Sequence, residues 1–144
     1  MGSDILIVDD SEKVRASLCH WLKSVFPSRD VEEAKSGQEA IDSVVIHPPG
    51  IILMDVAMLG MNGIEATHRI KAISPETKVV MLTIYEDAQY QAAASGVGAS
   101  GYVIKRKMHT ELIPILTGLL DNLPSDGIGE TLRASSPGLK GGEE

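Results

Sequence analysis

Short apolar runs, each closed by a polar or charged group, recur along this chain. Residues 4–8 (Asp-Ile-Leu-Ile-Val) run into Asp9-Asp10, and Ile51-Ile52-Leu53-Met54 stops at Asp55. Residues 78–82 (Lys-Val-Val-Met-Leu) stop at Thr83, and Gly101-Tyr102-Val103-Ile104 delivers Lys105. Unbroken runs of this length fit strands buried on both faces, as in a parallel sheet with helices above and below. Residues 29–34 differ. Asp30, Glu32 and Glu33 make that segment polar, which suits an edge strand whose charge discourages unwanted pairing.

The intervening segments change to helical spacing. Val14, Leu18, Trp21, Leu22 and Val25 form an apolar stripe that Pro27 ends. Ser36 and Glu39 have the spacing of a capping box, and Ala40, Ile41, Val44 and Val45 supply the buried face of the second helix. Pro48-Pro49-Gly50 then leads into the central strand. A third helix runs through Ile64, Ile70 and Ile73 to a break at Ser74-Pro75. An alanine-rich fourth covers about 87–95, and 96–101 turns the chain back. The last carries Leu112, Ile115, Leu116, Leu119 and Leu120, and its Pro114 is expected within the first turn, where a missing N–H is tolerated. Five alternations of strand and helix specify an α/β, doubly wound, five-stranded parallel sheet with five helices on its two faces.

Composition narrows the function. A length of 144 residues gives one domain with a real core, here residues 1–122. From 123 to 144 the proline-, glycine- and serine-rich composition predicts a flexible linker or tail. Net charge is −7, which argues against direct binding to nucleic acid, whose backbone demands clustered Lys and Arg. The lone Cys19 excludes an intrachain disulfide, and no Cys/His cluster suggests zinc. Apolar runs never reach membrane-spanning length and no signal peptide is visible, so the expected location is cytoplasmic. His20, His47, His68 and His109 share no spacing and receive no chemistry.

Ligands and chemistry in open α/β sheets gather at the carboxyl ends of the strands. Asp9, Asp10, Asp55, Thr83 and Lys105 all fall there. Adjacent carboxylates repel each other, so a hard cation such as Mg²⁺ is the expected companion of Asp9 and Asp10. One of them also suits capping the next helix, and Asp55 by itself would equally suit a turn. Three carboxylates, a hydroxyl and an ammonium do not make a hydrolytic triad. They suit phosphoryl transfer to a carboxylate, with Asp55 as the nucleophile and Thr83 donating to a phosphoryl oxygen. A small-molecule phosphatase working through an aspartyl phosphate shares these groups, but usually has a spaced Asp-x-Asp on its first strand and a cap over its substrate. A nucleotide-binding fold fails for want of a glycine-rich loop, since Asp9-Asp10-Ser11 would repel an anion.

The combination of DD at 9–10, LMD at 53–55, MNG at 61–63, LT at 82–83 and GYVIK at 101–105 resembles the receiver domain of bacterial two-component response regulators over residues 4 to 121. LTIYED at 82–87 and GASGYVIK at 98–105 are similar to its NarL/FixJ subfamily. The resemblance implies a flavodoxin-like receiver fold with strand order 2-1-3-4-5. It implies that Asp55 accepts phosphate from a sensor histidine kinase or from acetyl phosphate, and that the chain is a signalling protein catalysing only its own phosphorylation and dephosphorylation. Asp10, Asp55 and the backbone carbonyl of Ala57 would ligate Mg²⁺, with Asp9 acting mostly through water. Lys105 would contact the phosphoryl group. Thr83 would move toward it and Tyr102 would swing into the vacated space, changing the surface of the fourth helix, fifth strand and fifth helix. The output would be transcription through a DNA-binding domain not contained in this sequence, with homodimerisation on phosphorylation as a further expectation. A pseudo-receiver, folded alike but not phosphorylated, is the alternative.

Three features depart from the family pattern. Leu59 stands where proline is usual, which predicts a looser loop. Arg106 follows the lysine where many receivers have proline, and leaves the isomer of the Lys105–Arg106 peptide, and so the placement of Lys105, undetermined, because a cis bond is costly without proline. No helix-turn-helix effector follows. Ala57 and Tyr85, two residues after Asp55 and Thr83, flank the path of an attacking water. One cannot orient it and the other could shield the phosphate, which predicts slow self-dephosphorylation.

Overall fold

The computed structural model describes residues 2–123, so the expected tail lies, apart from Leu123, outside the described residues. The chain alternates β1 (Ile5–Val8), α1 (Glu12–Val25), β2 (Val31–Ala34), α2 (Gly37–Ile46), β3 (Ile51–Met54), α3 (Gly63–Ile73), β4 (Lys78–Thr83), α4 (Ala88–Gly96), β5 (Gly101–Ile104) and α5 (Met108–Leu120). A single 3₁₀ turn, Lys105–Lys107, joins β5 to α5. All strands are parallel, in the order β2-β1-β3-β4-β5. The α/β class, the five strands and their order are those expected.

Side-chain alternation explains why the runs are apolar throughout. Ile5, Ile7, Ile51, Leu53, Val80, Leu82 and Val103 face one layer, where Leu18 and Leu22 of α1 meet Leu112, Leu116 and Leu120 of α5. Leu6, Val8, Ile52, Met54, Val79 and Met81 face the other, against Ala40 and Val44 of α2, Ala66 and Ile70 of α3, and Ala94 of α4. A strand covered on both faces needs apolar residues at odd and even positions alike. β2 follows the same rule at the edge: Val31 joins the first layer and Ala34 the second, while Glu32 and Glu33 remain exposed.

Side chains cap three helices: Ser36 caps α2 as expected, whereas α1 is capped by Ser11 and not by Asp9 or Asp10. The hydroxyls of Ser11 and Ser36 and the side-chain carbonyl of Asn62 accept from Val14, Glu39 and Glu65 N–H respectively. The Glu39 carboxylate reaches back to the Lys35 N–H at 2.8 Å, one residue earlier than a standard capping box.

Four further expectations change. Val25, Val45 and Ile73 are exposed rather than buried, because each lies in the last turn of its helix. Pro114 is the seventh residue of α5, not a first-turn residue. It lies on the solvent side, as does Thr110, whose carbonyl loses the helix hydrogen bond that proline cannot donate.

The register decides where the site forms. Val8 pairs with Met54, Met54 with Met81, and Thr83 with Ile104. The residues following β1, β3 and β5, and the last residue of β4, therefore emerge along one edge.

Candidate functional site

Asp9 and Asp55 begin the loops after β1 and β3 and are buried, whereas the neighbouring Asp10 is exposed. One carboxylate oxygen from each of the three lies within 4.8 Å of the others. The Lys105 ammonium, arriving from the end of β5, is 3.0 Å from Asp9 Oδ2 and 3.7 Å from Asp55 Oδ2. The structure thus brings together four of the residues picked from the strand ends. Thr83 occupies the same edge at the end of β4, fully buried, with its hydroxyl accepting from the Tyr85 N–H at 3.2 Å.

Backbone donors hold each carboxylate. Asp9 Oδ1 accepts from Ser11 N–H at 2.9 Å and Asp55 Oδ1 from Ala57 N–H at 3.3 Å. Asp10 Oδ2 accepts from Leu59 N–H at 3.1 Å. A proline at 59 would have no N–H to give. The departure at Leu59 therefore ties the loop to Asp10 instead of loosening it, while the Leu59 side chain projects into solvent. Arg15 fixes the backbone below, donating to the Asp9 carbonyl at 2.7 Å while pairing with Glu33.

Burial pushes the Asp55 carboxyl up to about 6; Lys105 pulls it down, Asp9 pushes it up again, and the Ala57 N–H favours the ionised form. Three carboxylates against one ammonium leave this edge anionic. The donor set is hard oxygen throughout, which fits Mg²⁺. With one oxygen from each of the three carboxylates inside 4.8 Å of the others, a single hard cation could be shared among them.

Other features could not be read from the sequence. Gly63, which opens α3, sits so close under the acidic loop that an added Cβ would fall on the Asp55 carbonyl oxygen. Its N–H donates to the Val56 carbonyl at 2.9 Å. The Tyr102 hydroxyl donates to the Tyr85 carbonyl at 2.8 Å, and the Tyr85 ring stacks on Tyr90 of α4 with centroids 4.5 Å apart. Among the described residues no peptide is cis, so Lys105–Arg106 is trans. Arg106 forms a two-bond fork with Glu86. The glycine of MNG, Tyr85, Tyr102 and the unusual arginine stood out in the sequence, but the partners each one contacts did not.

Comparison with known proteins agrees with this geometry. The response regulator receiver domain family matches residues 5–117. The chain is 38% identical over 124 residues to the response regulator protein VraR of Staphylococcus saprophyticus, covering 85% of this chain and 58% of that protein. It is 32% identical over 110 residues to the response regulator UvrY of Escherichia coli K12, covering 76% and 50%. To the transcriptional regulatory protein LnrK of Bacillus subtilis it is 39% identical over 101 residues, covering 70% and 46%. It spans about half the length of the curated relatives it matches. Among solved structures it is similar to the chemotaxis protein CheY4 of Vibrio cholerae, with a TM-score of 0.71, 26% identity, and coverage of 85% of this chain and 100% of that one. With more than half of the sequence matched, and with Asp9, Asp10, Asp55 and Lys105 assembled at the carboxyl edge of the sheet, the chain belongs to the response regulator receiver domain family.

Proposed function

We propose that Asp55 is the phosphoacceptor of a signalling switch. A carboxylate oxygen of Asp55 attacks phosphorus, forming the P–O bond of an acyl phosphate as the P–N bond of a kinase phosphohistidine, or the P–O bond of acetyl phosphate, breaks. The electron pair leaves with the imidazole or acetate. The observation that carries this reading is the buried Asp55 carboxylate with Asp9 and Asp10 oxygens inside 4.8 Å and the Lys105 ammonium at 3.7 Å.

Asp10, Asp55 and the Ala57 carbonyl would hold Mg²⁺, with Asp9 acting mostly through water. When bound, the ion supplies positive charge beside the phosphoryl oxygens. Lys105 supplies the other positive group. Once a phosphoryl group is present, the Thr83 hydroxyl exchanges its own loop for a phosphoryl oxygen. Tyr102 then gives up the Tyr85 carbonyl and turns inward, altering the α4-β5-α5 face. Ala57 offers no side chain to orient water, and Tyr85 shields the phosphate, so hydrolysis is slow. Beyond this self-directed chemistry the chain is not an enzyme.

A sensor histidine kinase is the donor in this reading. The NarL/FixJ-type sequence likeness, and the chain's coverage of about half of its relatives, support transcriptional output through a DNA-binding domain elsewhere in the protein, with pairing of receivers on phosphorylation. Location is cytoplasmic; among the described residues no helix is long and apolar enough to cross a membrane.

Intact mass after incubation with acetyl phosphate and Mg²⁺ tests the proposal. One phosphoryl adduct is expected, absent from Asp55→Asn and after chelation. No adduct on the wild-type protein would replace this reading with that of a pseudo-receiver.

A further inference from the structure

Lys105 is followed by an anchor whose partner is distant in sequence. Arg106 Nε donates to Glu86 Oε2 and Arg106 Nη2 to Glu86 Oε1, each at 2.7 Å. A planar guanidinium gripping both carboxylate oxygens fixes direction as well as distance. The fork is built on the sheet register. Thr83 pairs with Ile104; Glu86 lies three residues beyond the first and Arg106 two beyond the second. The same two segments are joined again by the Tyr102 hydroxyl on the Tyr85 carbonyl.

Lys105 sits between the end of β5 and the fork. It opens a single 3₁₀ turn whose N-terminal cap makes no side-chain bond, in a trans peptide with no proline ring to restrict the following residue. The Glu86–Arg106 fork restrains that turn from outside.

We propose that Arg106 is a positioning residue: through its fork to Glu86 it holds the turn so that the Lys105 ammonium stays directed at Asp9 and Asp55 and meets a phosphoryl group there. The phosphoryl role rests on Asp55 being the acceptor. Long-range charge makes the opposite prediction for Glu86. A carboxylate beside a site that receives an anionic donor opposes its approach, so removing it should speed labelling. If the fork positions Lys105, removing Glu86 slows it.

The experiment compares acetyl phosphate labelling rates of wild type, Glu86→Gln, Arg106→Gln, Arg106→Lys and the double Gln variant. Each fork-breaking change is expected to slow labelling about two- to fivefold, the factor matching what an exposed ion pair contributes at its upper end. The double variant should be no slower than either single one, because both remove the same interaction. Arg106→Lys should stay slow, since it keeps the charge and loses the fork. NMR relaxation of the Lys105 ammonium in the unphosphorylated protein is the second readout, with lower order expected in Glu86→Gln. Labelling of Glu86→Gln as fast as wild type, or unchanged order at Lys105, would overturn the proposal. Wild-type protein that takes no label would instead defeat the acceptor reading, and the Lys105 order would still decide whether the fork positions the side chain.

Discussion

Asp55 is buried in a loop packed closely on Gly63, and its burial lifts its carboxyl from 3.8 to about 6. The folded protein therefore keeps a proton between about pH 4 and 6 that the unfolded chain releases. Stability is lost as pH rises through this window and is lowest once Asp55 is ionised in both states. The difference, about two pK units, is worth on the order of 2–3 kcal/mol. In metal-free buffer Asp55→Asn should be more stable than wild type by about that amount at pH 8, and by about half of it at pH 5. Urea unfolding at the two pH values checks this; an equal difference at both would mean that burial of the charge is not the cause. In the loop after β4, Tyr85→Ala should shorten the phosphate half-life severalfold, measured by the decay of labelled protein. A half-life close to wild type would remove the shielding role. Asp55 was legible in the sequence because it ends an apolar run, and Tyr85 because it follows two residues after Thr83, which ends another. The protonation of Asp55 was not, since it depends on the walls around it.

The element that most constrains the site is α3. Gly63 is its first residue and buried, with Met54 Cγ at 2.9 Å from an added Cβ as well as the Asp55 carbonyl in its path. Gly63→Ala should cost about 1–3 kcal/mol through overpacking, seen as a lower urea midpoint with the far-ultraviolet spectrum retained. An unchanged midpoint would show that the loop can retreat. At the opposite extreme, α4 buries only Ala94, so few apolar contacts hold it. It is joined to the site through Tyr85 and Tyr90, which suits an element that moves in the proposed switch. The helices themselves were legible from their three- and four-residue spacing. Their last turns were not, because an apolar residue such as Val25, Val45 or Ile73 reads the same whether the sheet extends beneath it or stops short.

For the whole molecule, binding that favours the native state raises stability by mass action. Mg²⁺ at ten times its dissociation constant should add about 1.4 kcal/mol, a thermal shift of a few degrees. Asp10→Asn should reduce the shift and Asp55→Asn abolish it; an equal shift in all three proteins would place the ion elsewhere. The acidic total of −7 gives no comparable guide, because what matters is that three carboxylates share one edge. The sequence by itself determined the class, the five strands and which polar residues end them, since burial on both faces forces unbroken apolar runs and helical packing forces its own period. Only the tertiary structure decided that Lys105 reaches Asp9 and Asp55, that Leu59 N–H holds Asp10, and that Arg106 grips Glu86. Those contacts join segments about 20 to 96 residues apart, and no local pattern encodes them. They exist because the register of parallel strands brings those strand ends level.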